Sequence, residues 1–276
     1  MKSKRKVFTH DDYMVGWISA LPLEMAVAKE MLDDLHPKLS HDPNDSNNYA
    51  LGSVFGNNVV IAYLPFGVYG TTSAATVATD MRRTFRAIRI SLMVGIGGGV
   101  PTKEADIRLG DVVVSKPTDS FGGVIQYDYG KKVRGGTFLR TDCLNKPPQL
   151  LLTAVSDLQA EHIRGSCQIP TTLSQASQDH LYEAEYDHQG TGKTCDGCSK
   201  NMLVGRLPRD SSDPVIHYGL IASGSQVIKD GVTRDRLARE LGILCFEMEA
   251  AGLMDHFPCL VIRGICDYSD THKNKQ

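Results

Sequence analysis

The sequence predicts an α/β fold in which a largely parallel sheet is covered by helices on both faces. Segments with the pattern of strands alternate with segments of helical pattern along the chain. Several strands are continuous apolar runs, as expected for strands buried on both faces. The 276 residues, of which 41% are hydrophobic, suffice for one large domain. We therefore expect a single domain over residues 1–276, with a polar insertion at about 165–214.

The first strand is predicted at residues 13–19, and a helix follows it to about Leu35. Pro22 suits the first turn of this helix, and Glu24 lies near its positive N-terminal end. Two interpretations of Glu24 follow. It can be a structural acid that complements the helix dipole, or it can face a pocket at the C-terminal edge of the strand.

A glycine-rich run follows the next buried strand directly. Before that strand we predict a polar loop (36–48), a hairpin (49–64, turn at 56–58) and a helix (71–85). The strand is 90–94, and four of the five residues in 95–99 are glycine. The run lacks the Lys-Ser/Thr ending of a P-loop, and Pro101 interrupts the helix that a dinucleotide fingerprint must open. It is either a tight turn or a ligand-facing loop. We favour the loop, because tight turns need fewer glycines.

Two acids flank a methionine in an otherwise apolar segment near the C-terminus. The second half of the chain is predicted to contain strands at 109–115, 217–223, 242–246 and 259–266 and helices at 147–164 and 230–241. Glu247 and Glu249 enclose Met248 at the end of the third of these strands. Buried charge is costly unless it is paired or used. One acid can cap the following helix, but two together favour a functional site.

Polar or glycine-rich residues follow most of the predicted strands. Asp267 follows the last strand, as Glu24 follows the first. In α/β proteins, ligands bind outside the carboxyl ends of the strands. We therefore expect these features to converge on one rim of the sheet, namely Glu24, 95–99, 223–225, 247–249 and Asp267.

Charge and hydropathy exclude several functional classes. The net charge of −2 argues against a general nucleic-acid binder. The basic run at 2–6 is interpreted as a solvated tail, with a nuclear address as the alternative. No apolar run approaches the length of a membrane span, and no signal peptide is visible, so we expect a cytoplasmic protein that does not enter membranes.

The cysteine pattern favours a reducing compartment and predicts no metal. Seven cysteines, an odd count, occur without a visible signal peptide. Cys195 and Cys198 form a single CxxC, and one such pair cannot complete a tetrahedral zinc site. His180, His188 and His217 lack the spacing of zinc-finger ligands.

Four segments together resemble the nucleoside phosphorylase and nucleosidase superfamily, over about residues 13 to 270. They are 20–24 (ALPLE), 94–99 (VGIGGG), 246–251 (FEMEAA) and 263–267 (RGICD). The chain is most similar to fungal members, which also occur as the N-terminal domain of NOD-like receptors. The resemblance implies an α/β three-layer sandwich with a central mixed, partly closed sheet. It also implies cleavage of a purine N-glycosidic bond without a cofactor, in a homodimer or larger homo-oligomer. Members usually continue into another helix beyond the last segment, so a truncated chain and a short form both stay open.

The resemblance also implies roles for individual residues. Asp267 matches the general acid that protonates or hydrogen-bonds purine N7, which requires a carboxyl group that holds its proton in an apolar setting. Glu249 matches the residue that binds the ribose hydroxyls, and Met248 packs on the sugar. Glu247 matches a position that is less clearly a contact. The remaining implied substrate contacts are Ile96, Gly97, Gly98, Ser225, Val227 and Ile228. Val227 stands where an aromatic residue often stacks on the base.

Hydrolysis is favoured over phosphorolysis. Glu24, Met93 and Ile96 stand where phosphorylases of the bacterial hexameric type hold phosphate with arginines and a serine. An acid repels phosphate but can orient and deprotonate water, and nucleosidases similar to methylthioadenosine/S-adenosylhomocysteine nucleosidase have a glutamate at the position of Glu24. We therefore expect a purine nucleosidase that acts on a nucleoside and water, with Glu24 as the water-activating base.

Three alternatives stay open. The first is a purine nucleoside phosphorylase that uses phosphate. The second is an AMP or ATP nucleosidase of immune-effector type, in which basic residues of the insertion would bind the phosphates, namely Lys193, Lys200, Arg206 and Arg209. These residues can equally form a solvated basic loop. The third is a non-catalytic nucleoside-binding domain, which the presence of Glu24, Glu249 and Asp267 together disfavours.

Overall fold

The structure, a computed structural model, describes residues 7–40, 42–141, 143–164, 179–190, 192, 194–211 and 213–273. Its α-helices are α1 (Pro22–Glu30), α2 (Thr71–Thr84), α3 (Gln149–Ile163), α4 (Gly231–Leu241) and α5 (Ala251–Met254). Its strands are β1 (Val15–Ser19), β2 (Asp34–Leu35), β3 (Tyr49–Val54), β4 (Asn57–Tyr63), β5 (Ile90–Gly99), β6 (Val112–Ser115), β7 (Val124–Gln126), β8 (Gly130–Lys132), β9 (Phe138–Arg140), β10 (Ile216–Ser223), β11 (Ile243–Glu247) and β12 (Leu260–Asp267). None of these helices is long and apolar enough to cross a bilayer.

The central sheet is mixed and partly closed. Its strand order is β11-β10-β6-β12-β5-β1-β4-β3-β2, and β7 pairs with β10. Five of the eight neighbouring pairs in this order are parallel, and three are antiparallel, namely β6–β12, β4–β3 and β3–β2. Strand β11 also pairs with the end of β5, where Phe246 lies opposite Gly98. The first five strands in this order therefore form a ring, which confirms the predicted fold class.

Helices cover both faces of the sheet. Neighbouring residues of a strand point to opposite faces, and β1 shows the two layers. Trp17 packs in the apolar cluster that contains Met25 and Ala28 of α1. Ile18 packs on the other side, in the cluster that contains Val77 of α2. These clusters fix β1 and the start of α1 at the rim where the predicted site residues meet.

The first predicted helix ends earlier than expected. Helix α1 stops at Glu30, and Leu35 instead lies in β2, paired with Gly52 of β3. The hairpin turn is also shifted, because Phe55 and Gly56 take the left-handed backbone conformation and Asn57 already begins β4. The short strands β7, β8 and β9 were not predicted, since three residues give too short a pattern to distinguish from a loop.

The polar insertion is only partly described. Residues 165–178 lie outside the described ranges. In the remaining part, an isolated bridge joins Tyr182 to Leu203, and a short 3-10 helix spans Lys200–Met202. The interpretation of the chain as one domain with this insertion stays a prediction.

Candidate active site

A cavity of about 310 Å³ lies at the C-terminal ends of β5, β11 and β12 and beside the start of α1. All of the predicted site residues except Ser225 line it. They are Glu24, Ile96, Gly97, Gly98, Val227, Ile228, Glu247, Met248, Glu249 and Asp267. Ser225 is exposed, and its N–H donates to the Asp128 carboxylate at 2.7 Å. The residues that the sequence predicts at the rim of the sheet therefore line one cavity, with the exception of Ser225.

Three backbone N–H groups hold the Glu24 carboxylate. Oε2 accepts from Ala20 at 2.7 Å and Leu21 at 2.8 Å, and Oε1 accepts from Ile96 at 2.8 Å. The Leu21 contact caps the start of α1, whereas the Ile96 contact fixes the side chain against β5. Both interpretations of Glu24 thus apply together: it caps its own helix and it faces the cavity.

The glycine run is a strand and not the predicted loop. Residues 95–99 continue β5, because β12 and β11 supply hydrogen-bonding partners along it. The glycines are needed for space. A Cβ built at Gly95 would lie 2.2 Å from Glu24 Oε1 and 2.6 Å from Arg263 Nη1. The missing side chain thus leaves room for buried charged groups against the middle of the sheet.

Asp267 is the last residue of β12 and lies opposite Gly98 of β5. A Cβ at Gly98 would lie 2.0 Å from Ser269 Oγ and 2.9 Å from Asp267 Oδ1. Asp267 Oδ1 accepts from the Ser269 N–H at 2.8 Å, and Lys273 Nζ donates to Oδ2 at 3.0 Å. Asp267 therefore does not lie in the apolar setting expected from the sequence, because the Lys273 ammonium and the Ser269 N–H both contact its carboxyl group.

Arg263 is the centre of a buried charge cluster. It is 1% exposed, its guanidinium pairs with Glu247, and Nη2 lies 3.6 Å from Glu249 Oε2. Glu247 also accepts from the N–H groups of Glu249 and Ala250, at 3.1 Å and 3.0 Å. Glu247 is therefore committed to holding the turn before α5, which is the structural role proposed for one of the two acids.

The Glu249 carboxylate has fewer hydrogen-bond donors around it than the Glu247 carboxylate. Burial raises the pKa of Glu249 to about 7, the Glu247 charge adds to this shift, and Arg263 opposes it. Arg263 was missed as a site residue in the sequence analysis. The available signal was a lone arginine inside the apolar strand 259–266, since an arginine in such a position must be paired.

The charge of the cavity is predominantly acidic. Among the described lining residues, four are acids and one is a base. The acids are Glu24, Glu247, Glu249 and Asp267, and the base is Lys273. Neither Lys273 nor Ser269 was predicted, because each reaches the site from an irregular segment after β12. The cavity can therefore stabilise developing positive charge and disfavours a free phosphate dianion.

The arginines of the insertion are paired with acids. Arg206 Nη2 lies 2.6 Å from Asp179 Oδ2, and Arg209 donates to both oxygens of Asp111 at 2.7 Å. Lys193 lies outside the described residues, and Lys200 lies in the 3-10 helix and does not line the cavity. The suggestion that these arginines bind a substrate phosphate is therefore not supported, because their charges are already neutralised.

A third possible metal ligand lies beside the CxxC. The ligand atoms of His188, Cys195 and Cys198 all lie within 4.8 Å of one another. The absence of a metal was predicted because no histidine has zinc-finger spacing. The fold brings His188 to the cysteines without such spacing, and the absence of a metal stays a prediction.

Comparison with known proteins identifies the family. A family model described as "Phosphorylase superfamily" matches residues 15–276. The chain belongs to this superfamily. It is 48% identical to a nucleotide-binding leucine-rich repeat (NLR)-like protein of Hyaloscypha variabilis, over 99% of this chain and 28% of that protein. It is 26% identical to ATP nucleosidase Cap17 of Escherichia coli, over 93% of this chain and 46% of that protein. The chain thus spans less than half the length of these relatives.

The chain is also similar to a shorter relative and to solved structures. The chain is 26% identical to 5'-methylthioadenosine/S-adenosylhomocysteine nucleosidase of Mycobacterium tuberculosis, over 92% of this chain and 85% of that protein. Futalosine hydrolase of Helicobacter pylori superposes with a TM-score of 0.61 at 17% identity, over 96% of this chain and 89% of the other. The Neisseria meningitidis nucleosidase with methylthio-immucillin-A gives 0.59 at 17% identity, over 94% and 87%. At this identity the structures confirm the fold.

Proposed function

We propose that this chain is a purine nucleosidase, which hydrolyses the N-glycosidic bond of purine nucleosides to free base and ribose. The observation that carries the proposal is the pair of carboxylates, Glu24 and Asp267, that approach β5 at Gly95 and Gly98. Both acids line the same cavity, and its acidic charge suits a cationic sugar.

In the proposed mechanism, Glu24 activates water and Asp267 protonates the leaving base. Glu24, fixed by three N–H donors, takes a proton from water, and the oxygen attacks C1′ of the ribose. The C1′–N9 bond breaks, and its electron pair leaves with the base. Asp267 supplies a proton to N7 of the base, and Lys273 stabilises the carboxylate that is left. Glu249 accepts hydrogen bonds from the ribose hydroxyls.

The acidic charge of the cavity favours hydrolysis over phosphorolysis. Phosphate would have to enter beside several carboxylates with Lys273 as the one base among the described lining residues. Like charges repel strongly in a partly desolvated site. Water carries no charge and meets no such barrier, so the phosphorylase alternative has the weaker support.

Nucleotides are the second candidate substrate. The similarity to ATP nucleosidase Cap17 over 93% of this chain favours an AMP or ATP nucleosidase. Arg206 and Arg209 give this candidate no support, because both pair with aspartates. The methylthioadenosine/S-adenosylhomocysteine nucleosidase relative adds 5′-thio-substituted adenosines to the substrates worth assaying.

Base release measured by chromatography tests the proposal. Adenosine, inosine and guanosine are incubated with and without phosphate, with 5′-methylthioadenosine, AMP and ATP alongside. We expect free base and ribose without phosphate. Glu24→Gln and Asp267→Asn should each lower the rate by about 10²-fold to 10⁴-fold. Glu30→Gln, at an exposed position of α1, should leave the rate unchanged.

Each other result selects an alternative. Strict dependence on phosphate with formation of ribose 1-phosphate would establish a phosphorylase and remove the role of Glu24. Cleavage of AMP or ATP alone would support the second candidate. Absence of release from every substrate, with binding detected by calorimetry, would indicate a non-catalytic nucleoside-binding domain. Circular dichroism of both variants verifies that a lost rate does not reflect unfolding.

We further propose a homodimer or larger homo-oligomer that acts in the cytoplasm. Three apolar side chains on one face of α1 and its C-terminal cap support association, since Leu23, Val27 and Met31 are 66%, 53% and 54% exposed. The thiols of the described cysteines support a reducing compartment. Light scattering after gel filtration measures the oligomer, and Val27→Glu should yield monomers. A monomeric parent chain would refute the association, and fluorescence of a tagged chain outside the cytoplasm would refute the location.

A further inference from the structure

We propose that His188, Cys195 and Cys198 bind a zinc ion at a site separate from the cavity. The three side chains present one ligand atom each, all within 4.8 Å of one another. In a tetrahedral site with Zn–S of about 2.3 Å and Zn–N of about 2.0 Å, ligand atoms lie roughly 3.5–3.8 Å apart. A side-chain adjustment of about 1 Å therefore brings all three onto one ion. The inference does not depend on the proposed reaction.

The backbone between the cysteines is already folded for chelation. The Cys198 N–H donates to the Cys195 carbonyl at 2.9 Å, which closes a tight turn around Gly197. Both cysteines are thiols, with Cys198 buried and Cys195 half-buried. A redox-active CxxC gains its reactivity at the N-terminus of a helix, but no α-helix begins among the described residues here. A turn that holds two thiols beside an imidazole is typical of a metal site.

His188 is positioned as a metal ligand by two contacts. Its Nε2 lies 3.0 Å from the Thr194 carbonyl oxygen, which accepts a hydrogen bond from the Nε2–H, so Nδ1 keeps its lone pair. Histidines that bind metals commonly donate their other N–H to a carbonyl in this way. The backbone N–H of His188 also donates to Thr271 Oγ1 at 2.8 Å, which fixes the segment.

The ligand chemistry selects zinc. Two thiolates and one imidazole match the borderline-soft character of Zn²⁺, whereas Mg²⁺ and Ca²⁺ require oxygen ligands. The fourth position of the tetrahedron is taken by water or by a further side chain. Binding of the metal releases the thiol protons.

The site joins the insertion to the segment that follows β12. His188 bonds to Thr271, four residues after Asp267 and two before Lys273, and both of these line the cavity. The Tyr182 ring stacks on His272 with 4.0 Å between ring centroids. A metal on His188 would thus hold the described part of the insertion against the chain that carries the cavity's ammonium group. We infer a structural zinc, since the insertion has few apolar residues of its own.

The test is the zinc content of the 276-residue chain, purified after expression in zinc-supplemented medium and measured by inductively coupled plasma mass spectrometry. We expect about one zinc ion per chain. The double variant Cys195→Ser/Cys198→Ser and the single variant His188→Asn should lose most of it. Cys143→Ser, at an exposed cysteine outside the cluster, should keep it. Removal of zinc by a chelator should lower the Tm of the parent chain but not that of the double variant.

A spectroscopic measurement on the parent chain covers the case in which the variants fail to fold. Replacement of the metal by Co²⁺ should give the near-ultraviolet thiolate-to-cobalt charge-transfer band of a tetrahedral site. A chain without zinc that shows no such band would overturn the proposal. Full zinc content in the folded double variant, or a disulfide between Cys195 and Cys198 in the purified chain, would also overturn it.

Discussion

Glu249 links the stability of the fold to pH in the neutral range. Burial raises the pKa of Glu249 from the ordinary 4.5 to about 7, with a further contribution from the charge of Glu247. The folded protein therefore holds this proton more tightly than the unfolded chain does. Its contribution to stability is complete below pH 4.5 and is lost as the pH rises through 7. The difference of 2.5 pH units, 7 minus 4.5, corresponds to about 3 kcal/mol at about 1.36 kcal/mol per unit.

The substitution Glu249→Gln removes this titration and keeps the shape of the side chain. We expect the free energy of unfolding of the variant to exceed that of the parent chain by up to about 3 kcal/mol at pH 8 and to equal it near pH 4.5. Urea unfolding at intervals between pH 4.5 and pH 8 measures this difference, and the comparison cancels the titration of other groups. Glu30→Gln, at an exposed position of α1, should leave the pH dependence of the parent chain unchanged.

The opposite result would refute this reasoning. If Glu249→Gln lowers the stability at pH 8, the ion pair with Arg263 outweighs the burial of the carboxylate. In that case Glu249 is charged through the whole range and the pKa is not raised. A stability difference that does not vary with pH would lead to the same conclusion.

Two further predictions concern the strands below the cavity. Gly98→Ala should lower the rate of base release by about 10²-fold, because its Cβ would lie 2.0 Å from Ser269 Oγ and 2.9 Å from Asp267 Oδ1. Gly264→Ala in the neighbouring strand, where a Cβ meets nothing within 4 Å, should keep the rate, and equal rates for both variants would contradict the close approach. Arg263→Met leaves two buried carboxylates without their cation, so urea unfolding should show a loss of about 3–5 kcal/mol. A loss below about 1 kcal/mol would show that the ion pair contributes little.

The fold was predictable because its strands are strong local signals. Continuous apolar runs predicted β1, β12 and the first half of β5, and polar residues at the strand ends predicted the rim. The predictions were wrong where the local sequence pattern and the tertiary surroundings favour different conformations. Residues 95–99 have the composition of a loop, but their neighbours on both sides supply strand hydrogen bonds, so tertiary pairing decides their conformation. Helix α1 ended early because the segment after it pairs with β3.

The candidate site was predictable where its residues lie in recognisable segments and not where they depend on tertiary contacts. Glu24, Glu249 and Asp267 follow buried strands, so their position at the rim follows from the topology. Lys273 reaches Asp267 from an irregular segment, and no periodicity indicates such a contact. His188 meets the cysteines only through the folded insertion, and spacing along the chain carries no information about that.

The ring of strands also affects how copies of this protein can associate. Because β11 pairs with β10 on one side and with β5 at Cys245 and Phe246 on the other, β11 is not a free edge strand in the described part of the chain. At the other end the last strand is β2, which has two residues, one of them Asp34. Short, charged edge strands are poor templates for intermolecular β-pairing. Intermolecular β-pairing through β11 or β2 is thus disfavoured.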